Sequence, residues 1–347
     1  MSNDVRVYLT ALDDLYDGDL KEKNMKAAIV NAAGKSPIFG EFNEPTATLG
    51  VELITVSASA LSQFSKSRSS GSHYSSDGAF PAIAGADGVG RTADGRRVYF
   101  VLPEAPYGAL AEKSLVPAKQ CIDVPDSLDD LTAAAIANPG MSGWTAMMER
   151  AHLQPGETVL INGATGTAGR LAVQLAKYNG ASKVIATGRN QDELEELKAS
   201  GADVVIPFAV GTLHPLGTKH YEEALIQEFA NGVDVVIDYL WGHSARAIIA
   251  AIAKGAESAS PVRFVHLGGA GGEDSIDLPG AGLRSSPIVL MGSGIKSVPL
   301  TKLLGAIKSV FEAAGPAKLQ IATHTMPLSE IETAWKAPGK PRIVVTI

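Results

Sequence analysis

The segment from Thr158 to Arg170 has the residue pattern with the clearest chemical meaning in the chain. An apolar, β-branched run predicts a buried parallel strand, and glycines follow at positions 163, 166 and 169. With a helix beginning near Arg170, this turn presents free backbone N–H groups at the positive end of the helix dipole. That geometry binds a pyrophosphate. The spacing Gly-x-x-Gly-x-x-Gly differs from the commoner Gly-x-Gly-x-x-Gly, so a plain strand–helix turn is the alternative.

Strand and helix patterns alternate along the chain beyond this turn. The predicted strands cover residues 183–189, 201–208, 233–238, 263–267 and 287–291, and the predicted helices cover residues 170–178, 191–199, 220–229 and 244–253. Buried strands that alternate with helices are typical of a doubly wound parallel sheet. The sequence therefore predicts an α/β fold with a Rossmann-type domain. Its glycine turn is expected at the carboxyl ends of the strands.

The end of the second predicted strand bears on the choice of cofactor. An NAD site usually has an acid there, about 20 residues beyond the glycine turn, whereas this chain has Gly188, Arg189 and Asn190. A carboxylate repels a 2′-phosphate, and a guanidinium can bind it with two charge-assisted hydrogen bonds. We therefore expect NADPH rather than NADH, with Arg189 discriminating between them. The alternative is that Arg189 is a solvated surface arginine.

The composition excludes several functional classes. The chain has 347 residues, enough for two domains, and a formal net charge of −7, which argues against nucleic-acid binding. No apolar run is long enough to span a membrane, and the N-terminus lacks the pattern of a signal peptide. Cys121 is the only cysteine, so an internal disulfide and a four-cysteine zinc site are excluded. We expect a cytoplasmic protein.

The remaining segments suggest how the domains are arranged. Residues 1–24 form an acidic N-terminal extension to which we assign no function. Residues 25–138 show short apolar strands and turn signals, and residues 293–347 are expected to return to the same β-rich domain. The Rossmann domain, residues 139–292, would then be an insert. The segment Ser65–Asp77, rich in serine and glycine, is expected to be a flexible loop.

Several stretches match one family in order along the chain. They are Phe80–Gly85, Tyr107–Glu112, Gly143–Ala146, Leu153–Val159 and the glycine turn. Together they resemble the medium-chain dehydrogenase/reductase superfamily, in its zinc-independent quinone oxidoreductase branch, over almost all of residues 25–347. The resemblance implies a Rossmann domain inserted in a mostly β, GroES-like catalytic domain. It also implies a homodimer formed through the edge strand Pro287–Met291.

The positions of the catalytic zinc ligands in related alcohol dehydrogenases differ in this chain. By motif alignment they correspond to Ser62, Ala86 and Asn138, none of which supplies a thiolate or an imidazole. We therefore expect no catalytic metal. Without a Lewis acid to stabilise an alkoxide, the favoured hydride acceptors are electrophilic compounds that delocalise charge. Quinones and α,β-unsaturated carbonyl compounds have this property.

The resemblance also suggests roles for individual residues around a bound NADP(H). The glycine turn is expected to contact the pyrophosphate, and the end of the second strand is expected to contact the 2′-phosphate. The later strand ends and one hydroxyl are expected to contact the adenosine, ribose or nicotinamide. The full set is Thr145, Gly163, Ala164, Thr165, Gly166, Thr167, Ala168, Gly169, Gly188, Arg189, Asn190, Phe208, Leu240, Leu267, Gly268 and Gly269. For Phe208 a purely structural position in the core is the alternative.

The catalytic residues are less well determined by the sequence. Ser62 occupies a former zinc-ligand position, and Tyr74 follows on the adjacent loop, so both are candidates for positions near the reacting carbon. A structural role is the alternative for each, and a zinc-independent member needs no dedicated protein acid. His266 falls within a buried strand pattern and is expected to be a hydrogen-bonded core histidine. Cys121 is expected to be a buried small apolar residue.

The sequence therefore predicts an enzyme that transfers hydride from NADPH to a quinone or an enone without a metal. An enoyl-thioester reductase of the same superfamily is one alternative. A cofactor-binding interaction or sensor protein with little turnover is another.

Overall fold

The computed structural model describes residues 23–347 except residues 77, 212–213, 258–259 and 274. The strands are β1 Asn24–Val30, β2 Ile38–Asn43, β3 Val51–Ala60, β4 Ala82–Ile83, β5 Asp87–Thr92, β6 Arg97–Val101, β7 Lys113–Pro117, β8 Cys121–Asp123, β9 Thr158–Asn162, β10 Lys183–Gly188, β11 Val204–Pro207, β12 Val235–Asp238, β13 Val262–His266, β14 Ile288–Gly292, β15 Thr323–Pro327 and β16 Arg342–Thr346.

The helices connect these strands. They are α1 Gln63–Ser69, α2 Asp130–Trp144, α3 Thr167–Tyr178, α4 Gln191–Glu196, α5 Pro215–Ala230, α6 Gly242–Gly255, α7 Gly280–Arg284, α8 Leu300–Ala314 and α9 Ile331–Lys336. A π-helix over Thr145–Arg150 continues α2, and short 3-10 turns cover Ala118–Gln120, Leu197–Ser200 and Leu328–Glu330.

A six-stranded parallel sheet confirms the predicted Rossmann-type fold. Its strand order is β11-β10-β9-β12-β13-β14, so the order reverses between β9 and β12. Successive residues of each strand face opposite sides, and each side is covered by helices: Ile161 and Ile237 belong to one apolar cluster, and Leu160 and Val236 to another. In such sheets ligands bind outside the carboxyl ends of the strands, at the point of reversal.

A second, mostly antiparallel sheet contains strands from both ends of the chain. Its order is β15-β16-β3-β5-β6-β8, with β7 paired to β3, and a three-stranded sheet β2-β1-β4 lies beside it. The C-terminal strand β16 is antiparallel to β3, where Val344 lies opposite Ala60. The chain therefore begins in the β-rich part, forms the parallel sheet, and then returns to the β-rich part, which agrees with the predicted insertion of the Rossmann domain.

Helix α2 lies between the two parts of the molecule. It packs against α3 of the parallel sheet, against α8 and against β3. A Cβ atom added at Gly140 would lie 2.7 Å from Val310 Cγ1, so the glycine allows α2 and α8 to approach closely. The domain boundary predicted between residues 138 and 139 falls inside this continuous helix, and the exact division stays a prediction.

Some predictions for individual segments turn out differently. The predicted flexible loop Ser65–Asp77 is wrong in its first part, because α1 extends to Ser69 and the Ser62 hydroxyl caps it by accepting from Ser65 N at 2.9 Å. The predicted N-terminal extension, residues 1–24, lies outside the described residues except for its last two. In the described part of the chain no helix is long and apolar enough to cross a membrane.

Candidate active site

The glycine turn between β9 and α3 is too tightly packed for side chains at two of its three glycines. Gly163 has φ +85°, and a Cβ atom there would lie 2.9 Å from Leu240 Cγ. A Cβ atom at Gly169 would overlap the carbonyl oxygen of Gly163 and lie 2.7 Å from Ala164 Cα. Gly166, with ordinary φ, precedes the helix. The backbone of the turn therefore folds directly against the first turn of α3.

This packing leaves donors at the start of α3. Arg170 N donates to Gly166 O at 2.9 Å, so the N–H groups of Thr167, Ala168 and Gly169 have no acceptor within the helix. Among the described residues, no side chain caps this helix. Three unpaired N–H groups at the positive end of a 12-residue helix form a site suited to an anion such as a pyrophosphate.

The tip of β10 adjoins this turn. Gly188 has no room for a side chain, since a Cβ atom would lie 2.9 Å from Thr165 Cγ2. Arg189 is exposed, and no hydrogen bond or ion pair of its guanidinium is found within the described residues. Asn190 caps α4 by accepting from Glu193 N at 3.2 Å, and its amide also donates to Glu193 Oε1 at 3.3 Å. Arg189 is thus the available cation at the predicted 2′-phosphate position.

A row of polar side chains crosses the sheet just below its carboxyl edge. Thr187 Oγ1 donates to Asn162 Oδ1 at 2.8 Å, and Asn162 Nδ2 donates to Asp238 Oδ1 at 2.8 Å. Asp238 Oδ2 pairs with His266 Nδ1 at 2.8 Å. These four residues occupy equivalent positions on β10, β9, β12 and β13. The row therefore fixes the strand ends relative to one another.

Asp238 also fixes the loop that follows β12. Its carboxylate accepts from Leu240 N at 3.1 Å and from Trp241 N at 3.2 Å. Trp241 has φ +60°, which is unusual for a residue with a side chain, and its ring centroid lies 4.5 Å from that of His266. Leu240, which was predicted to contact the cofactor, is thereby held over Gly163.

The other predicted cofactor residues lie in different environments. Leu267 continues from β13, donating through its N–H to Asp238 O at 2.8 Å, and Gly268 and Gly269 follow in open surroundings. Thr145 is buried, and among the described residues its hydroxyl has no hydrogen-bond partner. Phe208 is 7% exposed, with its ring centroid 5.0 Å from that of Tyr221. That is the core environment which the sequence allowed as the alternative.

A mostly apolar pocket lies between the β-rich part, α2 and α8. Its walls include Phe64, Ala86, Asn138, Met141 and Ile295. Two of the three positions aligned with zinc ligands, Ala86 and Asn138, therefore line this pocket.

Asp87 is a feature of this pocket that the sequence did not single out. It is 2% exposed, it accepts from the Tyr99 hydroxyl at 2.7 Å, and its second oxygen has no partner in the described part of the chain. Burial raises the pKa of the Asp87 carboxyl above its ordinary value, while the Tyr99 hydroxyl and the Arg342 charge both lower it. The acid following Gly85–Ala86 was visible in the sequence, but Tyr99 and Arg342 come from distant strands.

Comparisons with known proteins agree with this arrangement. A family model described as zinc-binding dehydrogenase matches residues 168–293. A probable NADPH-dependent quinone reductase of Emericella nidulans is 26% identical over 90% of this chain and 96% of its own length. A probable quinone oxidoreductase of Leishmania amazonensis is 31% identical over 40% of this chain, but the match spans only 38% of that protein.

A solved structure gives the corresponding result for the fold. The quinone oxidoreductase of Thermus thermophilus superposes with a TM-score of 0.74 at 23% identity, covering 93% of this chain and 100% of that chain. The matches confirm the resemblance to the medium-chain dehydrogenase/reductase superfamily, and this resemblance is to its quinone oxidoreductase-like proteins.

For this quinone oxidoreductase-like protein, the two predicted catalytic residues lie in unequal environments. The Ser62 hydroxyl is engaged in capping α1. Tyr74 is 57% exposed, its ring lies 4.1 Å from the His73 ring and 5.3 Å from Lys296 Nζ, and a Cβ atom at Gly294 would lie 3.2 Å from its hydroxyl. Tyr74 therefore reaches from the β-rich part to the loop after β14.

Two further expectations concern His266 and Cys121. The interpretation of His266 as a core histidine is wrong in part: it is hydrogen-bonded, but 31% of its side chain is exposed, because it ends β13 at the carboxyl edge. Cys121 is partly buried, and burial raises the pKa of its thiol to about 11. Little of it is thiolate at neutral pH, which agrees with an unreactive role.

The grouping of possible metal ligands bears on whether the site could hold a metal ion. In the described ranges, no three or more His, Cys, Asp or Glu side chains are grouped so that they could hold a metal ion. The pocket wall at Ala86 and Asn138 carries a methyl group and an amide, which are poor zinc ligands.

Proposed function

We propose that this protein is an NADPH-dependent reductase that transfers hydride to quinones or α,β-unsaturated carbonyl compounds without a catalytic metal. The observation that carries the proposal is the glycine turn, whose unpaired N–H groups and side-chain-free packing fit a pyrophosphate. The relative from Emericella nidulans, which matches along nearly its whole length, is named as an NADPH-dependent quinone reductase. A bound NADPH would supply the hydride.

The residues of this chain would hold the cofactor at three places. The N–H groups of residues 167–169 would bind the pyrophosphate together with that of Thr165, whereas the N–H groups of Gly163, Ala164 and Gly166 already donate to backbone carbonyls. Arg189, flanked by Gly188 and Asn190, would bind the 2′-phosphate. Leu240, residues 267–269 and the unpartnered hydroxyl of Thr145 would contact the ribose and nicotinamide. Phe208 would reach the adenosine only through its edge, because its ring packs in the core.

The pocket beside Ala86 and Asn138 would receive the substrate. Its apolar walls would favour uncharged molecules over charged ones. Since the aligned zinc-ligand positions carry no thiolate or imidazole, the acceptor has to delocalise the incoming charge itself. The proton can come from solvent, with Ser62 and Tyr74 as the proposed nearby hydroxyls. The Ser62 hydroxyl oxygen accepts in the α1 cap but keeps its own proton, and Tyr74 reaches the loop after β14, so both stay candidates.

The proposal predicts a specific pattern of turnover. Protein treated with a chelator should oxidise NADPH when a quinone or an enone is the acceptor, and hardly at all with a simple ketone. The absorbance of NADPH measures the rate. NADH should be a poorer donor. Loss of activity on chelation would contradict the metal-free mechanism. Turnover confined to enoyl thioesters would favour the reductase alternative, and tight NADPH binding without turnover on any acceptor would favour a sensor protein.

We further propose a homodimer formed through the edge strand β14. This strand ends the parallel sheet, and its Val289 and Leu290 side chains are 43% and 38% exposed. An exposed apolar edge strand pairs readily with a second copy. Sedimentation velocity at micromolar concentration should give a dimer, and Val289→Lys should convert it to monomer. A monomer for the unaltered protein would contradict the prediction. The cytoplasmic location stays a prediction.

A further inference from the structure

A group of charges lies where the glycine turn, the tip of β10 and the C-terminal segment meet. Arg170 Nε donates to Thr165 O at 3.2 Å, and its Nη2 lies 3.3 Å from Glu193 Oε2 and 3.2 Å from Glu196 Oε2. Lys340 Nζ lies 2.7 Å from the same Glu193 oxygen. Glu193 also contacts Asn190.

The position of Glu193 is unfavourable for binding a 2′-phosphate. Its carboxylate contacts Asn190, the residue next to Arg189, and Arg170 connects it to the turn residue Thr165, which itself packs on Gly188. An uncompensated carboxylate at this place would repel a dianionic phosphate. A site that selects NADPH therefore has to neutralise it.

Two cations from different parts of the chain, Arg170 and Lys340, neutralise the Glu193 carboxylate. Arg170 belongs to α3 and is shared between Glu193 and Glu196, so it offsets only part of their charge. Lys340 lies between α9 and β16, in the β-rich part of the molecule, and follows Glu193 by 147 residues in the chain. The hydrogen bond from Lys340 is the largest cause that lowers the pKa of Glu193, so the carboxylate stays ionised and paired.

We propose that Lys340 is a specificity-determining residue, which neutralises Glu193 and so allows Arg189 to bind the 2′-phosphate of NADPH. This inference rests on the proposed cofactor preference. It makes the choice of cofactor depend on the C-terminal segment, although that segment lies outside the predicted nucleotide-binding residues. Lys340 acts through Glu193 and does not itself have to touch the phosphate.

The experiment measures the dissociation constants of NADPH and NADH by fluorescence titration for four proteins. They are the unaltered chain, Lys340→Ala, Glu193→Gln and the double variant. Lys340→Ala should weaken NADPH binding about tenfold and change NADH binding less than about twofold, because only NADPH carries the extra phosphate. The loss should shrink at high salt, since the pair is partly exposed. The double variant should recover NADPH affinity, because no charge remains to neutralise.

The control is Lys336→Ala, which removes an exposed lysine from the same segment. It should leave both dissociation constants unchanged. Equal weakening of NADPH and NADH by Lys340→Ala would indicate a structural role and overturn the inference. Failure of Glu193→Gln to rescue Lys340→Ala would mean that Lys340 contacts the phosphate directly, which also overturns it. If the unaltered chain does not prefer NADPH, the proposed cofactor preference fails. If the unaltered chain prefers NADPH but Lys340→Ala does not reduce that preference, only the inference about Lys340 fails.

Discussion

Arg189→Asp is expected to weaken NADPH binding about 100-fold while leaving NADH binding unchanged or stronger. The substitution removes two charge-assisted hydrogen bonds to the 2′-phosphate and places a carboxylate beside it. Arg189 is exposed and follows the last residue of β10, so the change should not disturb the sheet. In NADH the same carboxylate can accept from the ribose 2′-hydroxyl. Titration of both cofactors, with a thermal melt as a check on folding, measures the effect.

Lys308→Asp provides the matched control for Arg189→Asp. It makes the same change of charge on an exposed side chain of α8 and should not alter the affinity for either cofactor. An unaltered NADPH affinity in Arg189→Asp would mean that this arginine is a solvated surface residue. Parallel loss of both cofactors would mean that the substitution damages the site as a whole.

The parts of the site that the sequence predicted well are those made by neighbouring residues. The strand, the three glycines and the helix start occur within a single segment, Thr158–Arg170, so their types and spacing determine the turn. The position of Arg189 was predictable for the same reason, because it follows directly from the end of a strand, and its role in cofactor binding stays a prediction. The alternating strands and helices also determined the parallel sheet.

Contacts between distant segments could not be predicted in the same way. The Asp238–His266 pair depends on the register between β12 and β13, and the Lys340–Glu193 pair joins the segment before β16 to helix α4. A pattern of buried residues predicted a core environment for His266, but it could not show that the strand ends there. The composition of residues 65–77 suggested a loop, whereas the capping hydroxyl of Ser62 starts a helix just before them.

The cofactor site and the pocket have different sources of specificity. In the proposed function, backbone N–H groups at the glycine turn would recognise a feature common to all dinucleotides, and the charges around Arg189 and Glu193 would distinguish between them. The pocket offers only a few polar groups, including Asp87 and Asn138, among apolar walls. In the proposed function, the pocket would therefore bind uncharged, apolar substrates without recognising one particular functional group.

Gly169→Ala is expected to weaken the binding of NADPH and NADH alike, by at least about 100-fold. The added methyl group would overlap Gly163 O and lie 2.7 Å from Ala164 Cα and 2.9 Å from Ala164 C. These are backbone atoms of the turn, so the turn must move away from the helix start, and the N–H groups can no longer converge on one pyrophosphate. Stability should fall by about 1–3 kcal/mol, as for other overpacked positions. Titration of both cofactors and thermal melts measure the two effects.

Substitutions at two other glycines distinguish a damaged cofactor site from a damaged fold. A Cβ atom at Gly166 would make only an ordinary contact, 3.4 Å from Gly163 O, so Gly166→Ala should fold normally and lose affinity only where its methyl group meets the pyrophosphate. Gly305 lies in α8 with nothing within 4 Å of an added Cβ, and Gly305→Ala should stabilise the helix by about 0.5–1 kcal/mol without changing binding. If Gly169→Ala and Gly166→Ala both bind the two cofactors normally, the pyrophosphate does not lie at this turn. Because the two variants act on both cofactors and Arg189→Asp acts on one, the three together separate pyrophosphate binding from 2′-phosphate recognition.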